Sequence, residues 1–379
     1  MEKDRKLKTV VISGINIVDG GAKSVFDDLL DTIVSDDKNK KYNIVVLVSR
    51  KELFKKYIGK LTLIEFPKSK KHWLNRIYYE YIYFKKLSKK LKPYVWLSMH
   101  DTTPNVIAER RYVYCHNPSP FYSMSIKDIK YGWKYYLFSK FYKYLYKINI
   151  KKNNAVIVQQ QWMGEAFKQM YKIKNVIIAR PDIETFRILP SIQKNSTYTF
   201  IFPSYPRIFK NFELACEAAK DLYNRGTNNF QLLITLDGKE NNYSKYLFKK
   251  YSSIPVIKFI GLLSREDLIR EYEKADCLIF TSKLETWGMP LTEFMQTGKA
   301  ILTVDLPYAH ETVGNYKNVA FVEASDSVKL SELMKRAIVN NTFDNKVNVR
   351  KNLHDFIYAD GWEKLFNIIT KSNDKNKFK

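Results

Sequence analysis

Apolar residues along the chain form short continuous runs, separated by longer stretches with helical spacing. In the first half the runs are KTVVIS, NIVVLV, LTLIEF, YVWLS, RYVYC, NAVIVQ and NVIIA. Helical patterns include GGAKSVFDDLLDTIV and two longer stretches near 72–91 and 127–150. Continuous apolar runs of about four to eight residues are typical of strands buried on both faces. Their alternation with helices predicts an α/β fold with a parallel sheet.

The same alternation starts again after a polar stretch near 180–196. This stretch, RPDIETFRILPSIQKNS, contains two prolines and no periodic pattern, which predicts a linker. After it come the strand patterns YTFIF, FQLLIT, VIKFI, DCLIF, AILTV and VAFVE, with helical patterns between them. We therefore predict two doubly wound halves whose strands point their carboxyl ends at a shared cleft.

The net charge of +25 indicates what kind of partner the chain has. Residues 1–190 hold 37 Lys and Arg against 17 Asp and Glu, whereas the rest of the chain holds 27 against 22. The first half is therefore expected to face nucleic acid, anionic lipid or a phosphorylated substrate. No apolar run approaches the ~18 residues of a membrane span, and none near the start resembles a secretory signal. We expect a cytoplasmic protein.

Lys alternates with Tyr, Phe and Trp in two segments, 68–94 and 121–152, that carry most of this positive charge. A basic, aromatic, amphipathic helix suits an anionic membrane surface, where rings lie at headgroup level and lysines meet lipid phosphate. A core helix with lysines reaching to solvent and a single-stranded nucleic-acid surface are the alternatives. We favour the membrane and expect no nucleic-acid partner.

The three cysteines, Cys115, Cys216 and Cys277, lie in apolar strand or helix patterns without a C-x-x-C pair. They are expected to be buried reduced thiols rather than disulfides or zinc ligands. Cys115 precedes His116, but adjacent strand residues point to opposite faces, so these two do not form a nucleophilic pair. The sequence contains no P-loop, H-E-x-x-H or Asp-x-Asp pattern, so we expect no metal.

The stretch ETWGMPLTE places Glu285 and Glu293 on either side of a predicted helix start. Proline is favoured in the first turn of a helix, so the helix is expected to begin at Pro290. The amides of Leu291 and Thr292 would then be unpaired and able to bind an anion. The stretch therefore indicates a ligand that carries both an anion and hydroxyl groups.

Arg207 and Lys210 lie on the loop that follows YTFIF, where an α/β ligand binds. Arg grips phosphate oxygens through two parallel bonds, and Lys adds a point charge. Alone, they are better interpreted as solvated basic residues. Together with the predicted anion site at Pro290, they indicate a phosphate-bearing ligand.

Polar groups also follow strands of the first half. His100 and Asp101 follow YVWLS, His116 and Asn117 follow RYVYC, and Gly20-Gly21 follow the first strand. The ends of parallel strands place these groups at the predicted cleft. Alternatively, each histidine bonds a loop backbone group, and the glycines form only a turn.

Residues 198–340 resemble the donor-binding half of family 4 retaining glycosyltransferases of the GT-B fold. The resemblance rests on the E-x7-E element with Gly-Met-Pro between its acids, the preceding Thr-Ser, and Asp-Leu-Pro followed by Glu311. The resemblance includes Arg207 and Lys210, and it extends loosely into the first half through Gly20-Gly21 and YCHNP. This family often has a small residue where the chain has Phe294, which we expect to point toward the core.

The resemblance implies two Rossmann-like domains facing across a cleft: an acceptor-binding domain at 1–188 and a donor-binding domain at 189–356. Residues 357–379 would form a helix that returns to the first domain and ends in a frayed tail. Arg207 and Lys210 would hold the diphosphate of a nucleotide sugar, Glu293 its ribose and Glu285 the transferred sugar. The donor-binding residues implied are Gly20, Gly21, Arg207, Lys210, Glu285, Gly288, Met289, Pro290, Leu291 and Glu293, with His116 over the donor sugar and His100, Asp101 and Asn117 at the cleft or acceptor.

The implied activity is transfer of a hexose-type sugar, with retention, to a hydroxyl of a glycan or lipid-linked acceptor. The acceptor would attack on the face that the diphosphate leaves, so neither a protein nucleophile nor a metal or other cofactor is needed. With the basic aromatic helices, this predicts bacterial surface polysaccharide synthesis (capsule, O-antigen or exopolysaccharide) at the inner face of the cytoplasmic membrane. The alternatives are a nucleotide-sugar epimerase or hydrolase of the same architecture, and a non-catalytic protein that binds membrane or nucleic acid.

Overall fold

The structure is a computed structural model that describes residues 7–122, 129–180, 185–186, 197–345 and 356–371. The chain divides into two compact units. The first comprises Met1–Phe121, Phe138–Asp182 and Leu353–Lys379, and the second comprises Tyr122–Leu137 and Ile183–Asn352. Residues 122–137 therefore go with the second unit, although the sequence analysis assigned them to the first domain. The predicted boundary at 188/189 and nearly all of the predicted linker lie outside the described residues.

Strands and helices alternate through both units. The strands are β1 (Lys8–Gly14), β2 (Tyr42–Val48), β3 (Thr62–Glu65), β4 (Val95–Ser98), β5 (Arg110–Cys115), β6 (Ala155–Val158), β7 (Val176–Arg180), β8 (Tyr198–Phe202), β9 (Phe230–Ile234), β10 (Ile257–Phe259), β11 (Cys277–Phe280), β12 (Ala300–Val304), β13 (Val319–Val322) and β14 (Ile357–Asp360). The α-helices are α1 (Gly20–Ser35), α2 (Trp73–Tyr78), α3 (Phe84–Leu91), α4 (Ile129–Lys147), α5 (Gln161–Tyr171), α6 (Phe212–Asn224), α7 (Asn242–Tyr251), α8 (Arg265–Lys274), α9 (Met289–Met295), α10 (Pro307–Val313), α11 (Ser327–Asn340) and α12 (Trp362–Thr370).

Within the described residues, the first unit contains one parallel sheet in the order β14-β7-β6-β5-β4-β1-β2-β3. The second unit contains another, in the order β10-β9-β8-β11-β12-β13. The direction of winding reverses between β1 and β4 in the first sheet and between β8 and β11 in the second. In doubly wound folds the ligand binds at such a reversal, beyond the carboxyl ends of the strands. The predicted α/β fold with parallel sheets is confirmed.

The apolar runs form strands because both faces of each sheet are covered. In β1, Val10 and Ile12 join one buried cluster with Phe26 of α1, and the intervening Val11 joins another cluster with Phe84 of α3. Successive strand residues point to opposite faces, so a strand buried on both sides must be apolar at every position. The same reasoning accounts for the six strand patterns of the second unit.

Two features of the first unit were not predicted. A π-helical segment, Tyr79–Tyr83, joins α2 to α3 within the predicted helical stretch at 72–91. The C-terminal segment begins with β14, which pairs with β7, before α12 follows. Trp362 of α12 lies in the same buried cluster as Phe26, so this last helix packs in the first unit.

Candidate active site

Hydrogen bonds between two loops shape the reversal point of the second sheet. The first loop follows β8 and the second follows β11, the neighbouring strand. Thr281 donates its hydroxyl to the carbonyl of Asn211 at 2.9 Å, and the amide of Lys283 donates to the carbonyl of Phe209 at 2.7 Å. Asn211 has a φ of 59°, in the left-handed region, where it turns the first loop into α6. The two loops are therefore held together where an α/β ligand binds.

Lys210 and Glu285 meet at this point as an ion pair between the two loops. Their side chains are 14% and 15% exposed, so both are partly shielded from water yet reachable. The Lys210 ammonium also lies 5.3 Å from the centre of the Phe280 ring. A ligand group that reaches one of the paired side chains also reaches the other.

Arg207 lies on the same loop, immediately before the 3-10 helix Ile208–Lys210. Its side chain is exposed, and the guanidinium carbon lies 6.0 Å from the centre of the Tyr205 ring. A cation over an aromatic face loses some of its freedom without losing its charge. The loop thus presents two cations within four residues, one exposed and one paired with Glu285.

Gly288 forms the turn between Glu285 and α9. Its φ is 91°, and an added Cβ would lie 3.3 Å from Cδ1 of Leu291 and 3.4 Å from Cε2 of Tyr308. The helix begins at Met289, one residue before the predicted start at Pro290. The Leu291 amide donates to the Gly288 carbonyl at 2.9 Å, so the prediction that this amide is unpaired was wrong. A tight first turn satisfies it within the helix.

Glu293 is held from one side by α8. Tyr272 donates its hydroxyl to Oε2 of Glu293 at 3.2 Å, and a guanidinium nitrogen of Arg265 lies 3.8 Å from Oε1. Phe294 is buried and packs edge-on against Tyr272, with ring centres 5.4 Å apart. The expectation that Phe294 points toward the core is confirmed.

The loop between the two carboxylates is anchored by residues that the sequence analysis did not single out. Trp287 donates its indole N–H to the hydroxyl of Thr292 at 2.8 Å, and Tyr308 donates to the carbonyl of Ser282 at 2.7 Å. The hydroxyl of Thr312 donates to the carbonyl of Trp287. All are polar groups of largely buried side chains, which need partners inside the fold.

The reversal point of the first sheet brings Ser13, at the end of β1, to His100, just after β4. The Ser13 hydroxyl and His100 Nε2 are 3.0 Å apart. Gly20 and Gly21 begin α1 there, two residues before the predicted helix start at Ala22. Gly20 has a φ of 66°, and no heavy atom of the described chain lies within 4 Å of an added Cβ at either glycine. The backbone is therefore open to close approach at this point.

His100 itself is buried in a polar network. Its side chain is 1% exposed, and Nδ1 lies 3.4 Å from a carboxylate oxygen of Glu80. Arg76 donates to Glu80 at 2.6 Å and to the carbonyl of His100 at 2.9 Å, and Thr102 donates to Glu80 at 2.5 Å. Burial lowers the pKa of His100, and the Glu80 carboxylate opposes that shift. Both ring nitrogens of His100 thus lie near polar side chains of the first unit, Ser13 at Nε2 and Glu80 at Nδ1.

Asp101 organises the loop after β5. Its Oδ1 accepts the backbone amides of His116 at 2.8 Å and Asn117 at 3.1 Å, and its Oδ2 lies 3.8 Å from Nε2 of His116. The His116 side chain is 22% exposed, and within the described residues its buried Nδ1 has no hydrogen-bond partner. Cys115 is buried, which raises the pKa of its thiol, so it does not act as a nucleophile.

Comparison with known proteins relates part of this chain to a known family. Residues 187–354 match the family model of glycosyl transferases group 1, a range that contains Arg207, Lys210, Glu285 and Glu293. This part of the chain, slightly under half of its length, is therefore similar to group 1 glycosyl transferases. By sequence alone, no curated protein matches the chain.

Solved structures of several glycosyltransferases share this fold. A glycosyltransferase from Rickettsia africae ESF-5 matches with 15% identity and a TM-score of 0.62, covering 88% of this chain and 89% of the other. Anabaena HepE in complex with UDP-glucose matches with 14% identity and a TM-score of 0.56, covering 87% and 89%. The lipopolysaccharide outer core galactosyltransferase WaaB matches with 13% identity and a TM-score of 0.59, covering 98% and 97%. The predicted GT-B fold is confirmed.

The structure brings together Lys210 and Glu285, with Arg207 on the same loop, and gathers His100, Asp101, His116 and Asn117 in the first unit. It also places Arg76 and Glu80 beside His100, in the group of the first unit. Their spacing of four residues on a helical pattern is a signal that the sequence contained. Tyr272 and Arg265, which hold Glu293, gave no such signal because their partner lies on another helix.

Proposed function

We propose that this chain is a glycosyltransferase that moves a hexose-type sugar from a nucleotide-diphosphate sugar to a hydroxyl of a glycan or lipid-linked acceptor, with retention. The observation that carries the proposal is the Lys210–Glu285 ion pair at the reversal point of the second sheet. A nucleotide sugar has an anionic diphosphate beside a hydroxylated ring. A cation adjoining a carboxylate has the chemistry to bind both.

The cations act on the leaving group. Breaking the bond to the anomeric carbon concentrates negative charge on the nucleoside diphosphate, so Lys210 and Arg207 stabilise the transition state more than the ground state. The loop bonds from Thr281 and Lys283 keep them in place before reaction. Because these side chains meet the phosphate charge, we propose that neither a metal nor another cofactor takes part.

The carboxylates bind hydroxyl groups of the donor. Glu285 would accept from hydroxyls of the transferred sugar, and Glu293, oriented by Tyr272, would accept from the ribose. Retention would follow from acceptor attack on the face that the diphosphate leaves, with that phosphate receiving the acceptor proton. His116, oriented by Asp101, would contact the donor sugar from the first unit.

UDP-hexoses are the donors to test first. Anabaena HepE was solved with UDP-glucose, and the lipopolysaccharide neighbour is a galactosyltransferase. The first supports a UDP-linked hexose as the donor, and the second supports a surface polysaccharide, such as capsule, O-antigen or exopolysaccharide, as the product. The similarity in fold leaves the base and the sugar to experiment.

Exposed aromatic residues support a membrane-bound acceptor. On α4 and just after its end, large apolar side chains recur every three or four residues and are exposed: Trp133, Leu137, Phe141, Tyr144 and Ile148. A regular helix brings such a series onto one side. Trp73, Leu74, Tyr78 and Ile82 are likewise exposed on the helical stretch that begins with α2. No helix in the described part of the chain is long and apolar enough to cross a membrane.

Lysines of the segments 68–94 and 121–152 add the positive charge that binding to an anionic membrane surface requires. We therefore propose that the protein binds peripherally to the inner face of the cytoplasmic membrane, through segments 68–94 and 121–152, and that its acceptor is presented there. Aromatic rings at headgroup level and lysines near lipid phosphate stabilise such binding. The series on α4 is the structural observation that favours this over a nucleic-acid partner.

The test is calorimetric titration with UDP, GDP and ADP, followed by incubation with the matching nucleotide sugar and a bacterial membrane extract. The variant Arg207→Ala, Lys210→Ala should lose nucleotide binding. A control, Lys245→Ala, Lys249→Ala on the exposed side of α7, removes the same charge from the same unit and should retain it. Release of free sugar without acceptor would instead support the hydrolase. Failure to bind any of the three nucleotides would refute the proposal.

A further inference from the structure

A basic pocket lies at the amino ends of strands in the first unit. Gly20 and His116 lie at the opposite, carboxyl ends of strands of the same sheet. Its cavity volume is about 510 Å³. The charged residues that line it are Arg111, Lys151, Lys152, Lys172, Lys174 and Glu109. Five cations thus surround one cavity together with a single carboxylate, which is exposed.

Three segments at the starts of neighbouring strands form the pocket, and hydrogen bonds connect them. Arg111 is in β5, Lys151 and Lys152 are in the 3-10 helix before β6, and Lys172 and Lys174 precede β7. The Arg111 amide donates to the side chain of Asn154 at 2.8 Å, and the Asn154 amide donates to the Arg111 carbonyl at 2.7 Å. The side chain of Asn175 donates to the Asn154 carbonyl at 3.0 Å. The frame that carries the cations is therefore fixed by the fold.

The positive charge of this pocket is not neutralised by the part of the chain that the structure describes. None of its five cations forms a salt bridge with a described residue. Arg111 is half-buried, and among the described residues its guanidinium donates only to the Val106 carbonyl, at 3.4 Å. Burial lowers the pKa of Arg111, with no carboxylate to oppose the shift. Like charges gathered in a concave site create a potential that attracts an anion.

The end of α4 lies close in the sequence to the part of the chain that lines this pocket. Phe141, Tyr144 and Ile148 are exposed, and Ile148 precedes the 3-10 helix Ile150–Lys152 by two residues. An apolar face that ends at a cluster of cations matches a lipid, whose phosphate lies beside its acyl chains. A free phosphate would need the cations but not the exposed rings.

We propose that this pocket binds the phosphate group of an anionic membrane lipid while the outer face of α4 contacts the acyl-chain boundary. The proposal rests on the membrane binding proposed above and gives it a defined lipid site. The pocket lies at the amino ends of strands, away from Gly20 and His116, so the bound lipid is an anchor and not the sugar acceptor. Sugar transfer to a soluble acceptor would not depend on it.

The experiment is sedimentation with vesicles of phosphatidylcholine containing phosphatidylglycerol. The variant Lys151→Gln, Lys152→Gln should bind about 30-fold more weakly than the unsubstituted chain, the combined effect of two lysines at an anionic surface. The control Lys245→Gln, Lys249→Gln on α7 has the same net charge and should differ by less than about threefold, because it leaves all five cations of the pocket in place. Equal weakening in both variants would overturn the proposal.

A second measurement separates a defined pocket from general attraction. Glycerophosphoglycerol, the soluble headgroup, is titrated while amide chemical shifts of the chain are followed. Saturable shifts around the pocket, lost in Arg111→Gln, support the site. Absence of saturable shifts overturns it. Binding of the headgroup without binding to vesicles would show that the pocket takes a soluble phosphate, and it would overturn the proposal that a lipid binds there. If the unsubstituted chain binds no vesicles, the membrane proposal fails as well, while sugar transfer is judged by its own assay.

Discussion

The carboxylate of Asp101 fixes the backbone that carries His116. It accepts the His116 amide at 2.8 Å, and its other oxygen lies 3.8 Å from the imidazole of the same residue. Asp101 has a φ of 73°, a left-handed conformation that Asp and Asn tolerate better than other side chains. A single residue of the loop that follows β4 thus determines where a side chain after β5 points. Asp101 is a positioning residue for His116.

Replacement of Asp101 by Ala should destabilise the first unit by about 3 kcal/mol, because two amides lose a charged acceptor and Ala is strained at this φ. Asp101→Asn keeps one acceptor oxygen and tolerates the conformation, so it should cost less than half as much. Urea unfolding of both variants measures the difference. Equal losses would show that the carboxylate does not hold the loop.

Lys210→Ala should weaken binding of the nucleoside diphosphate by about 10- to 100-fold, since a charge-assisted hydrogen bond contributes about 1.5–3 kcal/mol. Glu285→Gln removes the competing carboxylate from Lys210, so diphosphate binding should stay within about threefold or tighten, while sugar transfer falls. Calorimetry and a transfer assay on both variants test this asymmetry. If both bind nucleotide equally weakly, the ion pair acts only as structural support.

Gly288→Ala should destabilise the second unit, because φ is 91° and the new methyl group would press against Leu291 and Tyr308. We expect a loss of about 2 kcal/mol or more, the sum of backbone strain and crowding. Gly298→Ala is the matched control: its φ is 72°, but no described atom lies within 4 Å of the added Cβ. Its loss should be limited to backbone strain. Thermal unfolding of the two variants separates crowding from strain.

The stability of the first unit should fall as the pH drops below about 6.5, the ordinary pKa of histidine. Burial lowers the folded-state pKa of His100, so the unfolded chain takes up a proton there before the folded chain does. The contribution is present above the unfolded pKa and is lost as the pH falls toward the folded pKa. His100→Gln should flatten this slope of unfolding free energy against pH, which urea unfolding at a series of pH values measures.

Much of the fold could be predicted because burial on both faces leaves a direct pattern in the sequence. The strand β1 is apolar at successive positions for that reason, and the glycine and proline of Gly288-Met289-Pro290 mark a turn and a helix start. The strand β14 was missed because IYAD is short and only half-buried. The π-helical segment at Tyr79–Tyr83 was missed because one extra residue in a turn hardly alters apolar spacing.

The candidate site was predictable in its residues but not in its bonds. Arg207, Lys210 and Glu285 stand out by type and position, yet the pairing of Lys210 with Glu285 depends on β8 and β11 lying side by side. The Leu291 amide was assigned incorrectly because a first turn can close by a shorter hydrogen bond, and the sequence does not distinguish the two geometries. The carboxylate of Glu80 meets His100 only because the fold buries both.

Because the three cysteines are all buried and reduced, their reaction with a thiol reagent reports local opening of the chain. Burial raises the pKa of each thiol, so a thiol reagent reacts only after the surrounding structure opens. Cys115 belongs to the first unit, and Cys216 and Cys277 belong to the second. The order in which a mass label appears at these positions would therefore tell which unit opens first, and whether a bound nucleotide slows the second unit alone.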